Sequence, residues 1–190
     1  MGLRELIALL DHQTFKAITT ASQIITWDES FRFCGRCATA MVDKLDERAK
    51  HCPNCGLISY PRISPAIMVA VIKEDSILLA NGRNFPSEMY SVLAGFVEPG
   101  ETLEECVVRE VKEEVGLEIS DLEYFSSQFW PFPDSLMIAF IAKYAGGDIV
   151  VDDMEIRKAG WFKAGSLPRR PPANISISGR LIDWYEQTYG

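Results

Sequence analysis

Residues 95–117 read GFVEPGETLEECVVREVKEEVGL, and this stretch contains the strongest helix signal in the chain. Thr102 and Glu105 have the spacing of a capping box, a Pro-Gly turn precedes them, and Gly116 stands where a helix would end. The pattern predicts a helix over 103–115.

The predicted helix carries a cluster of carboxylates. At about 100° per residue, Glu110, Glu113 and Glu114 share one sector. The neighbouring sector is apolar and contains Val107, Val108, Val111 and Val115. Clustered carboxylates raise one another's pKa and destabilise a helix unless a cation lies among them. Their hard oxygen ligands suit Mg²⁺ or Mn²⁺. The alternative is a solvated helix face, which more often interleaves Glu with Lys at four-residue spacing.

Four of the five cysteines form two pairs, FCGRC and HCPNCG, with 14 residues between them. This spacing is typical of a zinc ribbon, in which four thiolates hold one tetrahedral Zn²⁺. The four predicted ligands are Cys34, Cys37, Cys52 and Cys55. A site closed by four thiolates leaves no position for water, so the predicted zinc is structural. His51 is an alternative ligand, interpreted instead as a surface residue, and Cys106 is predicted to be a small core residue rather than a nucleophile.

The order of the motifs predicts a modular chain with a short helical segment at 1–30, a zinc ribbon at 31–60 and a larger domain at 61–190. In the first segment, helical spacing rests on Leu3, Leu6, Ile7 and Leu10. In the larger domain, AIMVAVI and SILLA predict a buried hairpin, MYSVLAG, SLMIAFIAKY and AGWFKA predict further strands, and RLIDWYEQTY has helical spacing. Strands on both sides of one strong helix predict an α/β sandwich behind a small zinc module.

Composition limits the classes of function. The 190 residues carry a formal net charge of −8, which argues against a broad nucleic-acid surface. Arg169 and Arg170 in PRRPPA are candidates for a local basic lip. The chain has no run of 18 apolar residues, and MGLRELIALL is too short and too charged for a signal peptide. We expect a cytoplasmic protein without membrane contact.

The stretch quoted first resembles the signature of the Nudix hydrolases. Its fixed positions are matched by Gly95, Glu101, Arg109, Glu110, Val111, Glu113, Glu114, Gly116 and Leu117. The resemblance implies an α/β/α sandwich in which a loop, a helix and a loop bind divalent cations, and a reaction in which water attacks a diphosphate linked to a nucleoside. It implies that Glu110, Glu113 and Glu114 are catalytic ligands of Mg²⁺ or Mn²⁺, and that Arg109 orients a carboxylate.

A second stretch, SQFWPFPDS at 127–135, resembles the marker SQPWPFPxS of the NADH pyrophosphatase group. The resemblance to this group extends over residues 31–165. It implies that Gln128 binds substrate, while Phe129 replaces the proline of the group. The aromatic residues that follow are interpreted as a wall for flat rings, with a hydrophobic plug as the alternative.

Three further residues follow from the same resemblance. Glu155, placed after GDIVVDD, is implied as an additional catalytic and metal-binding carboxylate on a mobile loop, with a solvated loop acid as the alternative. Phe96 and Tyr60 match positions whose rings stack on nicotinamide, the tyrosine coming from the second subunit of a homodimer. The alternative for both rings is core packing.

We therefore predict a divalent-metal-dependent pyrophosphatase that hydrolyses NAD(H) to NMN(H) and AMP, with Mg²⁺ or Mn²⁺ as catalytic ion and Zn²⁺ as structural ion. Members of the group also remove NAD caps from RNA 5′ ends, so NAD-capped RNA is a second predicted substrate. The alternatives are a broader hydrolase of ADP-sugars or dinucleoside polyphosphates, and a noncatalytic Nudix domain that senses a nucleotide. The intact carboxylate cluster argues against a sensor because it costs stability without a cation.

Overall fold

The structure of the protein, a computed structural model, describes residues 10–190. Helix α1 (His12–Ser30) begins after Asp11, whose carboxylate accepts hydrogen bonds from two backbone N–H groups of the first turn. The predicted helical spacing at positions 3, 6 and 7 lies outside the described residues. Within residues 10–190, no helix is both long and apolar enough to cross a membrane.

The described chain divides into two compact units. The first comprises the described residues up to Ile63 together with Trp130–Ser135, and the second comprises Ser64–Phe129 and Leu136–Gly190. In the first unit, three two-residue strands pair antiparallel in the order β1-β2-β3. Their bounds are β1 Val42–Asp43, β2 Lys50–His51 and β3 Ile58–Ser59.

Lys50 joins α1 to this small sheet. Its side chain is buried, and its ammonium group lies 2.6 Å from the Asp28 carboxylate and donates to the Asp28 carbonyl at 3.0 Å. The same ammonium lies 5.7 Å from the ring centroid of Trp27, whose indole is also buried. A buried cation needs such partners, because an unpaired charge away from water is strongly unfavourable. The end of α1 is therefore fixed to β2.

The second unit is built on a six-stranded sheet with the path β7-β8-β4-β5-β9, and β6 pairs with β4 off this path. The strand bounds are β4 Ser64–Lys73, β5 Ser76–Gly82, β6 Leu93–Phe96, β7 Glu118–Trp130, β8 Ser135–Gly146 and β9 Ile156–Lys163. The predicted hairpin is confirmed, since β4 and β5 pair antiparallel across the turn at Glu74 and Asp75. A short 3₁₀ helix (Ala164–Ser166) follows β9.

Helices pack on this sheet because strand residues are apolar on both faces. Helix α2 (Leu103–Val115) buries Val107 and Val111 in one core with Ile67 and Val69 of β4. Alternate residues of the same strand, such as Ala70, are equally buried on the other face. Helix α3 (Ile177–Tyr189) contacts β4, and the Tyr185 hydroxyl donates to the carbonyl oxygens of Asp75 (2.6 Å) and Phe162 (3.0 Å). The predicted α/β sandwich is confirmed.

Two local expectations differ from the structure. Val108 was grouped with the buried valines, but its side chain is exposed because one helical step of about 100° carries it out of the core-facing sector. Strand β7 was not predicted, since its segment EISDLEYFSSQFW mixes charged and polar residues and buries no residue fully. Pairing with β8 in the sheet stabilises this strand, which apolar periodicity does not reveal.

Candidate functional site

Helix α2 is fixed at both ends, as the sequence predicts. The Thr102 hydroxyl accepts from the Glu105 N–H at 3.2 Å, and the Glu105 carboxylate accepts from the Thr102 N–H at 2.8 Å, which completes the capping box. At the other end, Gly116 adopts a left-handed conformation (φ 74°), and its N–H donates to the Lys112 carbonyl. The predicted bounds of 103–115 are confirmed. The helix therefore presents its carboxylates from a rigid backbone.

The carboxylates lie around one cavity of about 650 Å³. Its acidic lining residues are Glu98, Glu110, Glu113, Glu114, Asp152 and Glu155. Ala94, Gly95 and Phe96 of β6 form another wall, and Arg109 is the basic residue of the lining. The structure thus brings together the three predicted helix carboxylates and the predicted loop carboxylate Glu155. Asp152 was not predicted as a site residue, although the DD pair before Glu155 was a usable signal.

Arg109 organises the carboxylates at the edge of the cavity. Its guanidinium donates to both oxygens of Glu101, to Glu110 Oε1 at 2.9 Å and to Glu113 Oε2 at 2.9 Å. It also donates to the Phe96 carbonyl at 3.0 Å. The guanidinium holds the pKa of Glu101 at about 2. The orientation expected of Arg109 is therefore visible as contacts with three carboxylates.

Glu114 lies where a charged carboxylate is unfavourable. Its side chain is almost fully buried, and Oε2 has no hydrogen-bond partner among the described residues. Burial, followed by the nearby charges of Glu110, Glu155 and Asp152, raises the pKa of Glu114 to about 8. Burial also raises the pKa of Glu110, against the opposing effect of Arg109. A buried acceptor atom without a donor is a position that a cation would stabilise.

The loop that carries Glu155 is held by its backbone. The Val150 and Asp152 N–H groups each donate at 3.0 Å to α2 carbonyls, those of Val115 and Glu114. The Glu155 carbonyl accepts from the Arg83 N–H at 2.8 Å. These bonds bring the loop beside the end of α2, although residue 155 is 41 positions from residue 114 in the chain. The mobility expected of this loop stays a prediction, and its backbone bonds define where Glu155 lies in this structure.

Gly95 is required by the closeness of β6 to α2. A Cβ atom at this position would lie 1.8 Å from Glu110 Cδ and 1.9 Å from Glu110 Oε1. No carbon can approach so closely, so any side chain here would displace the Glu110 carboxylate from the cavity. The signature glycine thus makes room for a signature glutamate.

The predicted substrate-contacting residues have different surroundings. Phe96 lines the cavity and is 56% exposed, which does not fit the core-packing alternative. Tyr60 is 55% exposed in the first unit, and its hydroxyl donates to Glu47 at 3.3 Å. The Gln128 amide is used internally, because Nε2 donates to the Ile175 carbonyl (3.0 Å) and Oε1 accepts from the Ile177 N–H (2.6 Å). Contact of Gln128 with substrate stays a prediction.

Two further expectations concern arginine and cysteine. Arg170 of the proposed basic lip lies 3.1 Å from Asp183 and 2.5 Å from Glu186, so its charge is paired. Arg169 is exposed. Cys106 is buried in the α2 core, and burial raises the pKa of its thiol to about 11, as expected for a core residue rather than a nucleophile.

The donor chemistry of the carboxylates suits Mg²⁺ or Mn²⁺, but their oxygens do not converge as the thiolates do: within residues 10–190, the four cysteine sulfurs form the group whose ligand atoms all lie within 4.8 Å of one another. The donors of the carboxylate cluster are oxygens, one of them buried without a partner, and the cavity beside them is large enough for phosphate groups and water. Glu110, Glu113, Glu114 and Glu155 are the residues that could hold such an ion, with Asp152 close by. When bound, the ion supplies neutralisation of phosphate charge and a lower pKa for a coordinated water.

The four predicted zinc ligands converge in the first unit. Their Sγ atoms all lie within 4.8 Å of one another, and the Cys34–Cys55 and Cys37–Cys52 pairs are each 3.5 Å apart. Four Zn–S bonds of about 2.3 Å in a tetrahedron place sulfurs about 3.8 Å apart, so the geometry fits Zn²⁺. Hydrogen bonding with Thr39 lowers the pKa of Cys37 to about 5, whereas, against an opposing backbone hydrogen bond, burial and the neighbouring thiols raise the pKa of Cys55 to about 11. His51 is outside this cluster and half-buried.

The raised pKa of Glu114 predicts how stability depends on pH when no Mg²⁺ is added. The protonated Glu114 carboxyl stabilises the folded protein. This contribution is complete below 4.5, the ordinary pKa of a glutamate, and is lost as the pH rises through about 8. We expect the Tm of the protein to fall over this range. Glu114→Gln cannot ionise, so its Tm should fall less. Thermal unfolding of both proteins from pH 5 to 8.5 measures this difference, and parallel curves would contradict it.

Comparison with protein families identifies the chain. The NUDIX domain family matches residues 62–185, more than half of the sequence. The chain belongs to the Nudix family. The NADH pyrophosphatase zinc ribbon domain matches residues 29–60, directly before the Nudix match. Together with the clustered thiolates, this match confirms the zinc ribbon predicted from the cysteine spacing.

Two similar curated relatives of this Nudix chain have the same functional name. The chain is 50% identical over 184 residues to the NAD-capped RNA hydrolase NudC of Pseudomonas putida, which covers 97% of the chain and 66% of the relative. It is 51% identical over 182 residues to the protein of the same name from Chromobacterium violaceum, covering 96% and 68%. The chain thus spans about two thirds of the length of these relatives.

Solved structures show the same Nudix fold. A Nudix hydrolase from Nitrosomonas europaea matches with a TM-score of 0.65 at 23% identity, covering 84% of this chain and 90% of the other. A MutT Nudix hydrolase from Burkholderia pseudomallei matches with a TM-score of 0.53 at 20% identity, covering 64% and 95%. These matches confirm the fold class independently of the sequence signature.

Proposed function

We propose that the protein is a divalent-metal-dependent pyrophosphatase that hydrolyses NAD(H) to NMN(H) and AMP and removes NAD caps from RNA 5′ ends. The observation that carries this proposal is the buried Glu114 oxygen without a partner, surrounded by further carboxylates at one cavity. Such an arrangement is unfavourable for the isolated fold and favourable for a site that receives cations together with a polyanionic substrate. The name of the relatives supports the choice of NAD-linked substrates.

The residues have distinct roles in this proposal. Glu110, Glu113, Glu114 and Glu155 hold Mg²⁺ or Mn²⁺ against the diphosphate. Arg109 keeps Glu110 and Glu113 in place through hydrogen bonds of 2.9 Å. In the reaction, a water oxygen forms a new bond to one phosphorus, the bridging P–O bond breaks, and the two products are AMP and NMN(H).

Phe96 gives the cavity a surface for a flat ring. Its exposed side chain lies on the same wall as Gly95, beside the carboxylates, so a stacked nicotinamide would place the adjoining diphosphate near them. Tyr60 is equally exposed and belongs, in our proposal, to the site of the second subunit of a homodimer. A cytoplasmic location, expected from the sequence, belongs to the same proposal.

The shared site can be tested by mixing two inactive variants. Phe96→Ala and Tyr60→Ala, co-expressed, should form heterodimers in which one site contains both mutations and the other contains none. Random pairing then restores about a quarter of wild-type activity, because half the dimers have one intact site of two. Hydrolysis of NADH by the mixture, compared with each variant alone, measures this recovery. Activity equal to the mean of the separate variants would argue that both rings act within one chain.

The function itself is tested by incubating the protein with NADH in Mg²⁺ or Mn²⁺ and separating the products by chromatography. We expect AMP and NMNH in equal amounts. An NAD-capped oligonucleotide should release NMN and leave a 5′-monophosphate end. Hydrolysis of ADP-sugars or dinucleoside polyphosphates in preference to both substrates would redirect the proposal to a broader hydrolase, and absence of any product would favour a nucleotide sensor.

A further inference from the structure

A second cavity shares two carboxylates with the first. It measures about 520 Å³, and Glu114 and Glu155 line both cavities. Its other walls come from β4, β5 and β6 and from the loop after β5, including Met68, Leu93 and Arg83. A substrate whose diphosphate lies at the shared carboxylates therefore has space on two sides. None of the roles proposed above uses the second side.

Arg83 has unused hydrogen-bond donors at this cavity. Its Nε donates to the Asp153 carbonyl, while Nη1 and Nη2 make no hydrogen bond or ion pair within residues 10–190. Arg109, the arginine of the first cavity, is by contrast bound to three carboxylates. Arg83 is exposed, and its positive charge has no carboxylate partner in the described structure. Its guanidinium can therefore bind an anion without breaking an existing ion pair.

The backbone around Arg83 is held firmly. The Arg157 guanidinium donates to the Arg83 carbonyl at 2.6 Å, to the Phe85 carbonyl at 2.8 Å and to Asn81 Oδ1 at 3.2 Å. On its other side, the Arg83 N–H donates to the Glu155 carbonyl at 2.8 Å. The backbone of Arg83 is thus fixed next to a proposed metal ligand before any substrate binds. Such preorganisation lowers the entropic cost of recognition.

We propose that Arg83 binds a phosphate group of the substrate in the second cavity. A guanidinium presents paired N–H donors that match two phosphate oxygens, and these charge-assisted bonds are among the strongest in proteins. The inference rests on the proposed function, and it assigns the second cavity to the phosphate-bearing part of the substrate that extends past Glu155. The phosphate is either part of the diphosphate that is cleaved or the first phosphodiester of a capped RNA.

Steady-state kinetics of Arg83→Gln and Arg83→Lys distinguish a phosphate of the cleaved diphosphate from the first phosphodiester of a capped RNA. For Arg83→Gln we expect KM to rise about tenfold to a hundredfold, as for loss of a charge-assisted hydrogen bond, and Arg83→Lys should recover part of this loss. If the phosphate is that of the diphosphate, KM rises for both NADH and an NAD-capped oligonucleotide. If it is the phosphodiester, KM rises for the capped oligonucleotide alone. Lys143→Gln, which removes an exposed charge paired with Asp121, is the matched control and should behave as wild type.

A second measurement distinguishes phosphate binding from a purely structural role of Arg83. Because Arg83 also contacts the loop of Glu155, a structural role would raise the Mg²⁺ concentration needed for half-maximal rate while leaving KM unchanged. That result would overturn the proposal, as would wild-type KM for both substrates in Arg83→Gln.

Measuring ligand binding directly tests the role of Arg83 without requiring that the protein hydrolyse the ligand. Adenosine 3′,5′-bisphosphate, AMP and adenosine are titrated into the wild-type protein and Arg83→Gln by calorimetry. Loss of affinity for one or both phosphorylated ligands in the variant, with adenosine unaffected, supports the proposal. Equal affinities in both proteins refute it. If the wild-type protein hydrolyses neither NADH nor capped RNA, the proposed function fails, and this titration still decides the role of Arg83.

Discussion

Glu114→Gln is expected to lower kcat for NADH hydrolysis about a thousandfold, because loss of a proposed metal ligand would remove several kcal/mol of transition-state stabilisation. The side chain stays nearly the same size, and the neutral amide replaces a carboxyl that is already prone to protonation, since burial raises its pKa to about 8. We therefore expect the fold to be unchanged. Rates at saturating Mg²⁺, together with circular dichroism, test both parts of this expectation.

The matched control is Glu104→Gln on the same helix. Glu104 is exposed in the first turn of α2 and does not line the carboxylate cavity. Its substitution should leave kcat within about twofold, since surface changes of this kind have small effects. A similar loss of rate in both variants would show that charge on α2, rather than the position of Glu114, determines activity.

Cys52→Ser should release the structural zinc and unfold the ribbon. Cys52 is 1% exposed and is one of the four clustered cysteines, and its sulfur also accepts from the Cys55 N–H at 3.4 Å. Structural zinc sites contribute about 10 kcal/mol or more to the folding of such modules, far more than the small sheet β1-β2-β3 can replace. We expect zinc content to fall from one ion per chain to almost none, and amide exchange to lose protection in residues 32–60.

Cys106→Ser is the control for loss of a thiol. This cysteine lies in the core under α2, so its substitution is expected to lower the Tm while the zinc content stays at one ion per chain. Zinc is measured by atomic emission on dialysed protein. Retention of a full equivalent of zinc in Cys52→Ser would mean that another residue completes the site, and His51 would be the first to examine.

The sequence predicted those parts of the site that depend on local spacing. The caps of α2, its three clustered carboxylates and the paired cysteines are all set within short stretches, so periodicity and motif spacing identify them. Asp152 and Arg83 were missed because they enter the site through backbone bonds between distant segments, those from Asp152 to Glu114 and from Arg83 to Glu155. No single stretch contains both partners of these contacts.

Contacts between distant segments explain strand β7 and the surroundings of Gln128, whose contact with substrate stays a prediction. Strand β7 forms beside β8 despite its polar composition. The Gln128 amide, expected to contact substrate, is bound to the backbone near the start of α3, about 47 residues away in the chain. A glutamine in a recognisable motif can bind substrate or hold a distant segment, and sequence alone does not separate these uses. The structure shows that the Gln128 amide binds the backbone of Ile175 and Ile177.

The capped ends of α2 have a consequence for the thermodynamics of ion binding. Since the capping box at Thr102 and the left-handed Gly116 stabilise the helix without any cation, ions bound at the proposed site would meet a helix backbone that is already ordered. Their capture should bury little new apolar surface and show a heat-capacity change near zero. Zinc uptake by the ribbon is the opposite case, because there the chain must fold around the ion. The proposed divalent ions would thus bind to a helix that is already formed, whereas zinc would form the small structure that holds it.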